Sequence, residues 1–392
     1  MRDELSRPMD LLGAPLFAYA LFRLSPERYA WYQGPHHIVT DAAGGALVAR
    51  RVAELYTRAV AAADGEAAAS AAENVTETTF GSLNLLLDRD AEYRASEDFT
   101  ADRKYWMERF ADYPEPARLA GRPGRVKSRF IRETAYLTEE EATALRAAAR
   151  KAGTHWSAMM IAATAAYLHR FTGREDIILS LPVAARTEAA LRTVPGMFAN
   201  LLPLRVDVRP DMRIRDLVKQ VSREMRQALR HQRYRRIDLA RDLHLPDGGR
   251  GLLGPHVNIM TFDYDFTFAG HRVTAHNISN GLVEDLSIMA YDRSDGTGVR
   301  IDLNANADLY SPETLAAHRR RFLGLVHSFA DAARLERTVG GVDLVSPAER
   351  RLLLHEWQGP RTGRPTPRCR GCSPSRPPAR PTGRPWPRAN RR

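Results

Sequence analysis

The stretch "YQGPHHIVTDAAGG", from Tyr32 to Gly45, places two adjacent histidines shortly before a single aspartate and a pair of glycines. The residues Tyr29–Gly34 predict a strand that leads into this motif. If the strand continues, the side chains of His36 and His37 point to opposite faces, so one can face a cavity while the other packs inside. The pattern also fits two structural histidines and an aspartate that caps a helix, because short motifs often match by chance.

The sequence on either side of the motif alternates between helical and extended patterns. The residues after Gly45 carry apolar side chains at helical spacing, and "ASEDFTADRKYWMERFADYPEP" predicts a second helix that ends near Pro114. The loop "ARLAGRPGRVKSR", which is rich in Arg, Gly and Pro, follows this helix. It is the best candidate for an internal boundary.

Beyond that loop the pattern restarts with Thr138 and Glu141, which form a capping-box signature for a helix. The segment "SAMMIAATAAYLHRF" predicts a buried helix, "IRDLVKQVSREMRQALRHQ" predicts an amphipathic one, and Ser311 with Pro312 begins another. The predicted strands are "EDIILSLPV", "ANLLPLRVDV", "HVNIMTFDYDF", "HRVTAHNI" and "LSIMAYDR". Alternating helices and strands in both halves predict an α/β fold of two layered lobes.

The positive charge of the chain is concentrated in its last residues. The chain has 58 Lys and Arg against 47 Asp and Glu, but the ten arginines after Pro360 leave the remainder close to neutral. No basic stripe with interleaved aromatic residues is evident, so we expect no nucleic acid partner. No run approaches eighteen apolar residues and the first residues lack a signal-peptide core, so we expect no membrane association and a cytoplasmic location.

Other catalytic and cofactor signatures are absent from the sequence. It contains no G-x-S-x-G nucleophile motif, no Walker loop and no strand-associated G-x-G-x-x-G. Cys369 and Cys372 form a C-x-x-C pair, but this pair supplies only two ligands and lies in the Arg/Pro-rich tail. We therefore predict no metal site.

Four stretches together resemble the signature motifs of nonribosomal peptide synthetase condensation domains. "HHIVTDA" is similar to the H-H-x-x-x-D-G signature. Three further stretches of this chain resemble three more signatures and follow in the family's order: "GREDIILSLPVAAR", "VPGMFANLLPLRV" and "ALRHQRYRRIDLARDL". Epimerisation domains share the double histidine, but "GMFANLLPLR" and the exit segment "LVSPAERR" resemble condensation domains more closely. A heterocyclisation domain would carry aspartates in place of the histidines.

The resemblance implies a two-lobed chloramphenicol acetyltransferase-like fold, a V-shaped pseudo-dimer with a tunnel between its lobes. It also implies amide bond formation between an acyl or peptidyl thioester and an aminoacyl amine. Peptidyl carrier proteins would present donor and acceptor on phosphopantetheine arms, no cofactor would bind directly, and an adenylation domain would follow. Two alternatives remain, a non-catalytic remnant that binds carrier proteins and a free-standing acyltransferase that uses coenzyme A.

By the same resemblance, His37 is the active-site residue, next to His36 in the motif. It would take a proton from the attacking amine or hold the amine in place, and an imidazole suits proton transfer near neutral pH. Asp41 completes the motif. We expect it to form a salt bridge with Arg186, the arginine of "LPVAAR", and so to link the motif to the second lobe.

The remaining candidate residues come from the other motifs and strands. Asn200 is expected either to bond backbone near the tunnel or to hold a strand turn. Asn258 is a candidate tunnel contact at the start of a strand. Asp285 is a second candidate tunnel contact, although in this family it more often anchors a strand. His231 and Gln232 are expected to end the long helix and to pack structurally.

Three features depart from the family pattern. Ala42 stands where the motif has a glycine, and it would be strained if φ were positive there. The double histidine lies at residue 36 instead of much further into the domain, so the first lobe is expected to be incomplete and to expose apolar surface and sheet edge. The tail after Pro360 resembles GC-rich DNA translated out of frame, with a genuine disordered tail as the alternative.

These observations divide the chain into four predicted segments. Residues 1–120 form a partial first lobe with the histidine motif, and residues 121–335 form the second lobe. Residues 336–360 form a linker toward an adenylation domain. Residues 361–392 form a disordered Arg/Pro-rich tail.

Overall fold

The computed structural model describes residues 8–13, 15–64, 79–122, 124, 130–260, 266–279, 283–292 and 296–357. Backbone contacts divide the chain into two units, Met1–Leu344 and Val345–Arg392. The division falls inside the predicted 336–360 segment, whereas the predicted lobe boundary at residue 120 lies within the first unit. The predicted tail, with Cys369 and Cys372, lies outside the described residues.

The first unit begins with an antiparallel hairpin, which is followed by the histidine motif and three helices. Strands β1 (Phe17–Ser25) and β2 (Arg28–Pro35) form the hairpin, and the helices are α1 (Ala42–Asp64), α2 (Leu83–Arg94) and α3 (Glu97–Arg109). Ser82 and Ser96 cap α2 and α3 with their hydroxyl groups, which accept bonds from free N–H groups of the first turn. The strand and the two helices predicted around the motif are confirmed, while β1 and α2 were not predicted.

One face of the hairpin carries exposed apolar side chains. Phe17, Tyr19 and Leu21 follow one another on the same face of β1, and Leu21 is 70% exposed. The expectation that this region exposes apolar surface is therefore confirmed for the described residues.

A six-stranded mixed sheet lies at the centre of the rest of this unit. Its strands are β3 (Phe130–Leu137), β4 (Asp176–Val183), β5 (Asn200–Asp207), β6 (His256–Met260), β9 (Leu286–Asp292) and β10 (Val299–Asn306). Their order across the sheet is β3-β10-β9-β6-β4-β5, with β4–β6 and β6–β9 parallel and the other pairs antiparallel. A separate pair of short strands, β7 (Thr267–Phe268) and β8 (His271–Arg272), lies between β6 and β9 in the chain.

Helices cover one face of this sheet. They are α4 (Glu139–Lys151), α5 (Trp156–Thr172), α6 (Ile214–Arg230), α7 (Arg236–Asp242) and α8 (Pro312–Ala330). The predicted capping box of Thr138 and Glu141 begins α4, and Ser311 caps α8 with Pro312 in the first position. Helix α5 is buried along nearly its whole length, as predicted, and it ends at Gly173, whose left-handed φ of 70° suits a residue without a Cβ. Short 3₁₀ helices span Ala190–Thr193 and Pro246–Leu252.

The two faces of the sheet differ in polarity, and this difference explains why β10 was not predicted. Ile301 and Leu303 pack into the hydrophobic core beneath the helices. Asp302 and Asn304 point to the opposite face and are fully buried there. Arg300 neutralises Asp302 at 2.8 Å. Because "VRIDLNAN" alternates apolar and polar residues, it is typical of a strand with one exposed face, and the sequence did not indicate a central strand that is buried on both faces.

One predicted strand is wrong in most of its length. The segment "HRVTAHNI" forms strand structure only over His271–Arg272, and residues 273–279 are irregular. In this segment the carbonyl of Asn277 accepts a hydrogen bond from Arg132 Nη1 (2.9 Å) instead of a strand partner. The strand predicted from "HVNIMTFDYDF" is confirmed over His256–Met260, and residues 261–265 lie outside the described residues.

The second unit is described only from Val345 to Trp357. Ser346 and Glu349 form a capping box that begins helix α9 (Pro347–Arg351), and a π-helical turn over Leu352–Glu356 follows. Across both units, none of the described helices combines the length and the apolar character that a membrane span requires.

The buried His318 makes the stability of the fold depend on pH. Its Nδ1 lies 2.8 Å from the Tyr167 hydroxyl among aromatic rings, and burial, aided by Arg321, lowers the pKa of the imidazole to about 4. Between pH 6.5 and 4 the unfolded chain therefore takes up a proton that the folded chain resists, and the free energy of unfolding falls as the pH falls.

We predict that His318→Phe flattens this dependence between pH 6.5 and 4. Urea denaturation at a series of pH values measures the slope. A part of the slope will remain, because burial also lowers the pKa of His256 to about 4. A slope equal to that of the unchanged protein would show that His318 is not one of the responsible groups.

Candidate active site

The histidine motif forms a turn between β2 and α1, and its two histidines have different environments. The His36 N–H donates to the Leu16 carbonyl (2.8 Å), and the His36 Nδ1 accepts from the Ile38 N–H (3.1 Å). His36 is half-buried, and these two hydrogen bonds stabilise the turn. The His37 side chain is exposed, and its ring makes no hydrogen bond to the residues that the structure describes.

Asp41 ends the turn and begins helix α1. Its Oδ1 accepts from the Gly44 N–H (2.9 Å), which caps the helix. Its Oδ2 accepts from the N–H groups of Phe198 and Ala199 (3.0 Å each) and from Arg186 Nη1 (2.5 Å). Four donors thus converge on one carboxylate.

Arg186 lies just after β4, and its guanidinium binds backbone carbonyls in addition to Asp41. Its Nε donates to the Leu191 carbonyl (3.2 Å), and Nη2 donates to the carbonyls of Val194 (3.4 Å) and Gly196 (2.6 Å). The side chains of Arg186 and Asp41 are only 2% and 3% exposed. The predicted salt bridge is therefore present, and it joins the motif to the central sheet.

Burial and hydrogen bonding act in opposite directions on Asp41. Burial by itself raises the pKa of the carboxyl group, because a charge is poorly solvated in the interior. The hydrogen bonds from Arg186, Gly44 and Phe198 outweigh that effect and hold the pKa of Asp41 below its usual range. Asp41 is therefore a charged, fully bonded anchor without a free oxygen for substrate.

The alanines next to the two members of this ion pair differ in backbone conformation. Ala185, next to Arg186, has a φ of 53°, in the left-handed region that costs a non-glycine residue about 1–2 kcal/mol. Ala42, in contrast, is the first residue of α1 and does not have a positive φ. The strain considered for an alanine in place of the motif glycine does not arise.

Asn200 begins β5 and holds the chain that follows α6. Its Nδ2 donates to the carbonyls of Gln232 (2.9 Å) and Tyr234 (2.8 Å), and its Oδ1 accepts from the Arg236 N–H (3.3 Å). The backbone bonds expected of Asn200 are therefore present, and its neighbour Ala199 donates to Asp41. Its expected position near the tunnel stays a prediction.

His231 caps the C-terminal end of α6, as predicted, and packs against α3. Its Nδ1 lies 2.7 Å from Asp102 Oδ1, and its ring stacks on Tyr105 at 4.0 Å. Asp102 also accepts from the Tyr93 hydroxyl (2.6 Å). These contacts tie α2, α3 and α6 together.

Asn258 and Asp285 belong to the region of the central sheet. Asn258 is half-buried on β6, opposite Met289 in the neighbouring strand. Asp285 is buried, and it accepts from the Leu119 N–H (2.9 Å) and the Tyr310 hydroxyl (2.5 Å). Burial raises the pKa of Asp285 despite these bonds. Asp285 therefore anchors the loop before β3 to the sheet, and its oxygens are occupied by protein.

Metal binding has no support in the described part of the chain, where no three His, Cys, Asp or Glu side chains come together as ligands.

The N–H groups of Phe198 and Ala199, which donate to Asp41, were not predicted from the sequence. Backbone donors have no residue-type signature, so only the resemblance of "GMFANLLPLR" to a family motif indicated this segment.

The Asp41–Arg186 pair generates a prediction about stability. Asp41→Asn leaves the buried guanidinium of Arg186 without its counter-charge, so the free energy of unfolding should fall by about 3–5 kcal/mol in urea denaturation at pH 7. The exposed Lys104–Glu108 pair provides the control, where Glu108→Gln should change stability by at most about 1 kcal/mol. Equal stability of Asp41→Asn and the unchanged protein would contradict the anchoring role.

The two glycines of the first turn of α1 should respond to alanine in opposite directions. A Cβ on Gly44 would collide with Thr40 Oγ1 and lie 3.2 Å from the backbone N and O of Gly196, whereas a Cβ on Gly45 meets nothing within 4 Å. We predict that Gly44→Ala destabilises by about 1–3 kcal/mol. Gly45→Ala should stabilise by up to about 1 kcal/mol through helix propensity. Thermal denaturation of both variants is the measurement, and the same sign for both would contradict the close approach.

Comparisons with known proteins agree with this geometry. A family model described as "Condensation domain" matches residues 1–354. The chain is 43% identical over 357 residues to the dimodular nonribosomal peptide synthase of Bacillus subtilis, a match that covers 91% of this chain and 14% of that protein. It is 45% identical over 326 residues to the isonitrile lipopeptide synthase of Streptomyces coeruleorubidus, covering 83% of this chain and 22% of that protein. The chain therefore spans less than a quarter of the length of either relative.

A solved structure shows the same fold. The chain superposes with a TM-score of 0.78 and 39% identity on a mutant starter condensation domain of rhizomide synthetase RzmA in complex with C8-CoA and Leu-SNAC. The match covers 88% of this chain and 75% of that one. The mixed α/β fold is thus the chloramphenicol acetyltransferase-like fold, and the chain belongs to the condensation domain family of nonribosomal peptide synthetases.

Proposed function

We propose that this chain catalyses amide bond formation between a thioester donor and an aminoacyl acceptor, with His37 as the catalytic residue. The observation that carries the proposal is the contrast within the motif. Asp41 is buried and fully bonded, whereas His37, four residues earlier, is exposed and makes no hydrogen bond to described residues. The fold therefore fixes the motif through Asp41 and leaves the His37 imidazole available for substrate.

The reaction requires one nucleophilic attack and one leaving group. The acceptor amine attacks the thioester carbonyl carbon, so that a C–N bond forms and the C–S bond breaks. The nitrogen loses a proton and the departing thiolate gains one. His37 supports this exchange by accepting the proton from the amine or by holding the amine against the carbonyl, and positioning of two reactants alone supplies several kcal/mol of the barrier.

We propose carrier proteins as the sources of both substrates, each on a phosphopantetheine arm, with no cofactor bound directly by this chain. An adenylation domain would be the neighbouring partner, and the reaction would take place in the cytoplasm. The relatives support the carrier proteins and the adenylation domain, because their names describe a dimodular synthase and a lipopeptide synthase.

We further propose that the donor is a fatty acyl thioester. Two similarities support this class over a peptidyl donor. The superposed domain is a starter condensation domain that holds C8-CoA, and the second relative is a lipopeptide synthase. A fatty acyl donor, unlike a peptidyl donor, carries no amino group that the protein would have to recognise, so an apolar channel suffices for it.

The test combines the full chain with an octanoyl thioester and an aminoacyl thioester. His37→Ala should reduce amide formation by at least about 100-fold, the lower range of general acid–base catalysis. Its folding should be unaffected, because the side chain is exposed. His36→Asn is the matched control, since asparagine can still accept the Ile38 N–H, and it should retain activity.

Other outcomes identify the alternatives. Equal rates with coenzyme A and carrier-bound donors would favour a free-standing acyltransferase. Carrier binding without any turnover would favour a non-catalytic remnant. Activity of His37→Ala equal to that of the unchanged chain would contradict the role of His37, and a preference for peptidyl donors would contradict the acyl assignment.

A further inference from the structure

The outward face of helix α6 carries a line of four basic side chains. Lys219, Arg223, Arg226 and Arg230 are all exposed, and their spacing of four, three and four residues places them on one face. The opposite face of α6 packs into the core through Ile214, Leu217, Val218, Val221 and Ala228. We call these four residues the basic stripe.

No member of the basic stripe forms an ion pair with the residues that the structure describes. Arg226 Nη1 donates to Ser222 Oγ (2.8 Å), which is a neutral partner. Other basic residues nearby are matched by carboxylates: Arg109 pairs with Glu224 of α6 at 2.6 Å, and Arg213 and Arg215 pair with Glu336. The basic stripe therefore differs from these three arginines, because none of its members has a carboxylate partner among the described residues.

Repulsion among these like charges destabilises helix α6. Each like-charged pair at a spacing of three or four residues destabilises a helix by about 0.2–0.5 kcal/mol, and the basic stripe contains three such pairs in succession. The helix dipole favours Arg230 alone, because only the last turn lies near its negative end. The remaining three charges have no compensating contact in the described chain.

The C-terminal end of the basic stripe is connected to the histidine motif. One residue after Arg230, the chain leaves α6 at His231 and passes into the segment that Asn200 holds. In that segment Arg235 Nη1 donates to the Phe198 carbonyl (3.0 Å), and the Phe198 N–H donates to Asp41. A partner bound along α6 would therefore sit on a helix whose end is linked by hydrogen bonds to the motif.

We propose that the basic stripe is a docking surface for a carrier protein that presents an acidic helix. This inference rests on the proposed function, which requires carrier proteins as substrates. The stripe runs over twelve residues, and the eleven helical rises between its ends span about 16 Å, which matches three turns of a partner helix. Complementary charges of this kind accelerate association and orient the partner. The absence of aromatic residues from α6 argues against single-stranded nucleic acid, which binds through base stacking as well as charge.

The test reverses two charges in the middle of the stripe. Arg223→Glu/Arg226→Glu creates opposite-charged neighbours with Lys219 and Arg230, so the helix should be at least as stable. The matched control is Arg150→Glu/Arg320→Glu, which reverses two exposed arginines on other helices that have no ion pair within the described chain. Each variant is assayed with an octanoyl or leucyl group on a purified, negatively charged peptidyl carrier protein, and with the same groups as N-acetylcysteamine thioesters.

We expect the stripe variant to raise KM for a carrier-bound substrate at least tenfold with kcat unchanged. Turnover of the small thioesters and of the control should not change, and high salt should remove the difference because it screens the charges. Equal KM values for the stripe variant and the control would overturn the proposal.

Direct binding separates failure of docking from failure of the proposed function. If the unchanged chain forms no amide from either substrate, the proposed function fails, and fluorescence anisotropy of labelled carrier protein then decides on docking. Weaker binding of the stripe variant at low salt supports the surface. Binding equal to that of the control, or no binding by the unchanged chain, overturns it. Displacement of the carrier protein by an equal concentration of a DNA oligonucleotide would overturn it in favour of nucleic acid.

Discussion

The buried ion pair between Asp41 and Arg186 is the contact on which the rest of the site depends. Both charges are removed from water, and the free energy cost of this desolvation is large unless every polar atom has a hydrogen-bond partner. Here Asp41 receives four donors and the Arg186 guanidinium reaches three carbonyls besides the carboxylate. The strained backbone of Ala185 persists because these contacts fix its neighbour. The pair thereby joins α1, the end of β4 and the start of β5, which are far apart in sequence.

This arrangement separates structural from chemical roles among residues of one motif. Asp41 and Asn200 use their polar atoms on protein partners, and so does Asp285 in the sheet. Groups that are buried and bonded in this way define geometry and are poorly accessible to a substrate. His37 is the contrast, since it occupies the same turn and remains exposed. Of these motif residues, His37 is the one whose side chain remains accessible to a substrate.

The net charge of the chain differs from the charge of one of its surfaces. Outside the last residues the chain is nearly neutral, and many of its described arginines pair with carboxylates. Neutrality of the whole does not prevent a local excess, and α6 has one along its exposed face. A helix that is anchored by apolar residues on one side can tolerate unpaired charges on the other. Such a surface is suited to transient association, in which steering matters more than buried area.

The sequence by itself determined the local features of this protein. Capping residues such as Thr138 and Ser311 set helix starts, and the double histidine with the three other family motifs indicated the fold and the family. The tertiary structure decided the rest. It showed that Ala42 is helical, that β10 is a central strand with a polar buried face, and that backbone N–H groups after Met197 bind Asp41. Backbone donors have no residue-type signature, and the polarity of a buried strand depends on partners that only long-range folding brings together.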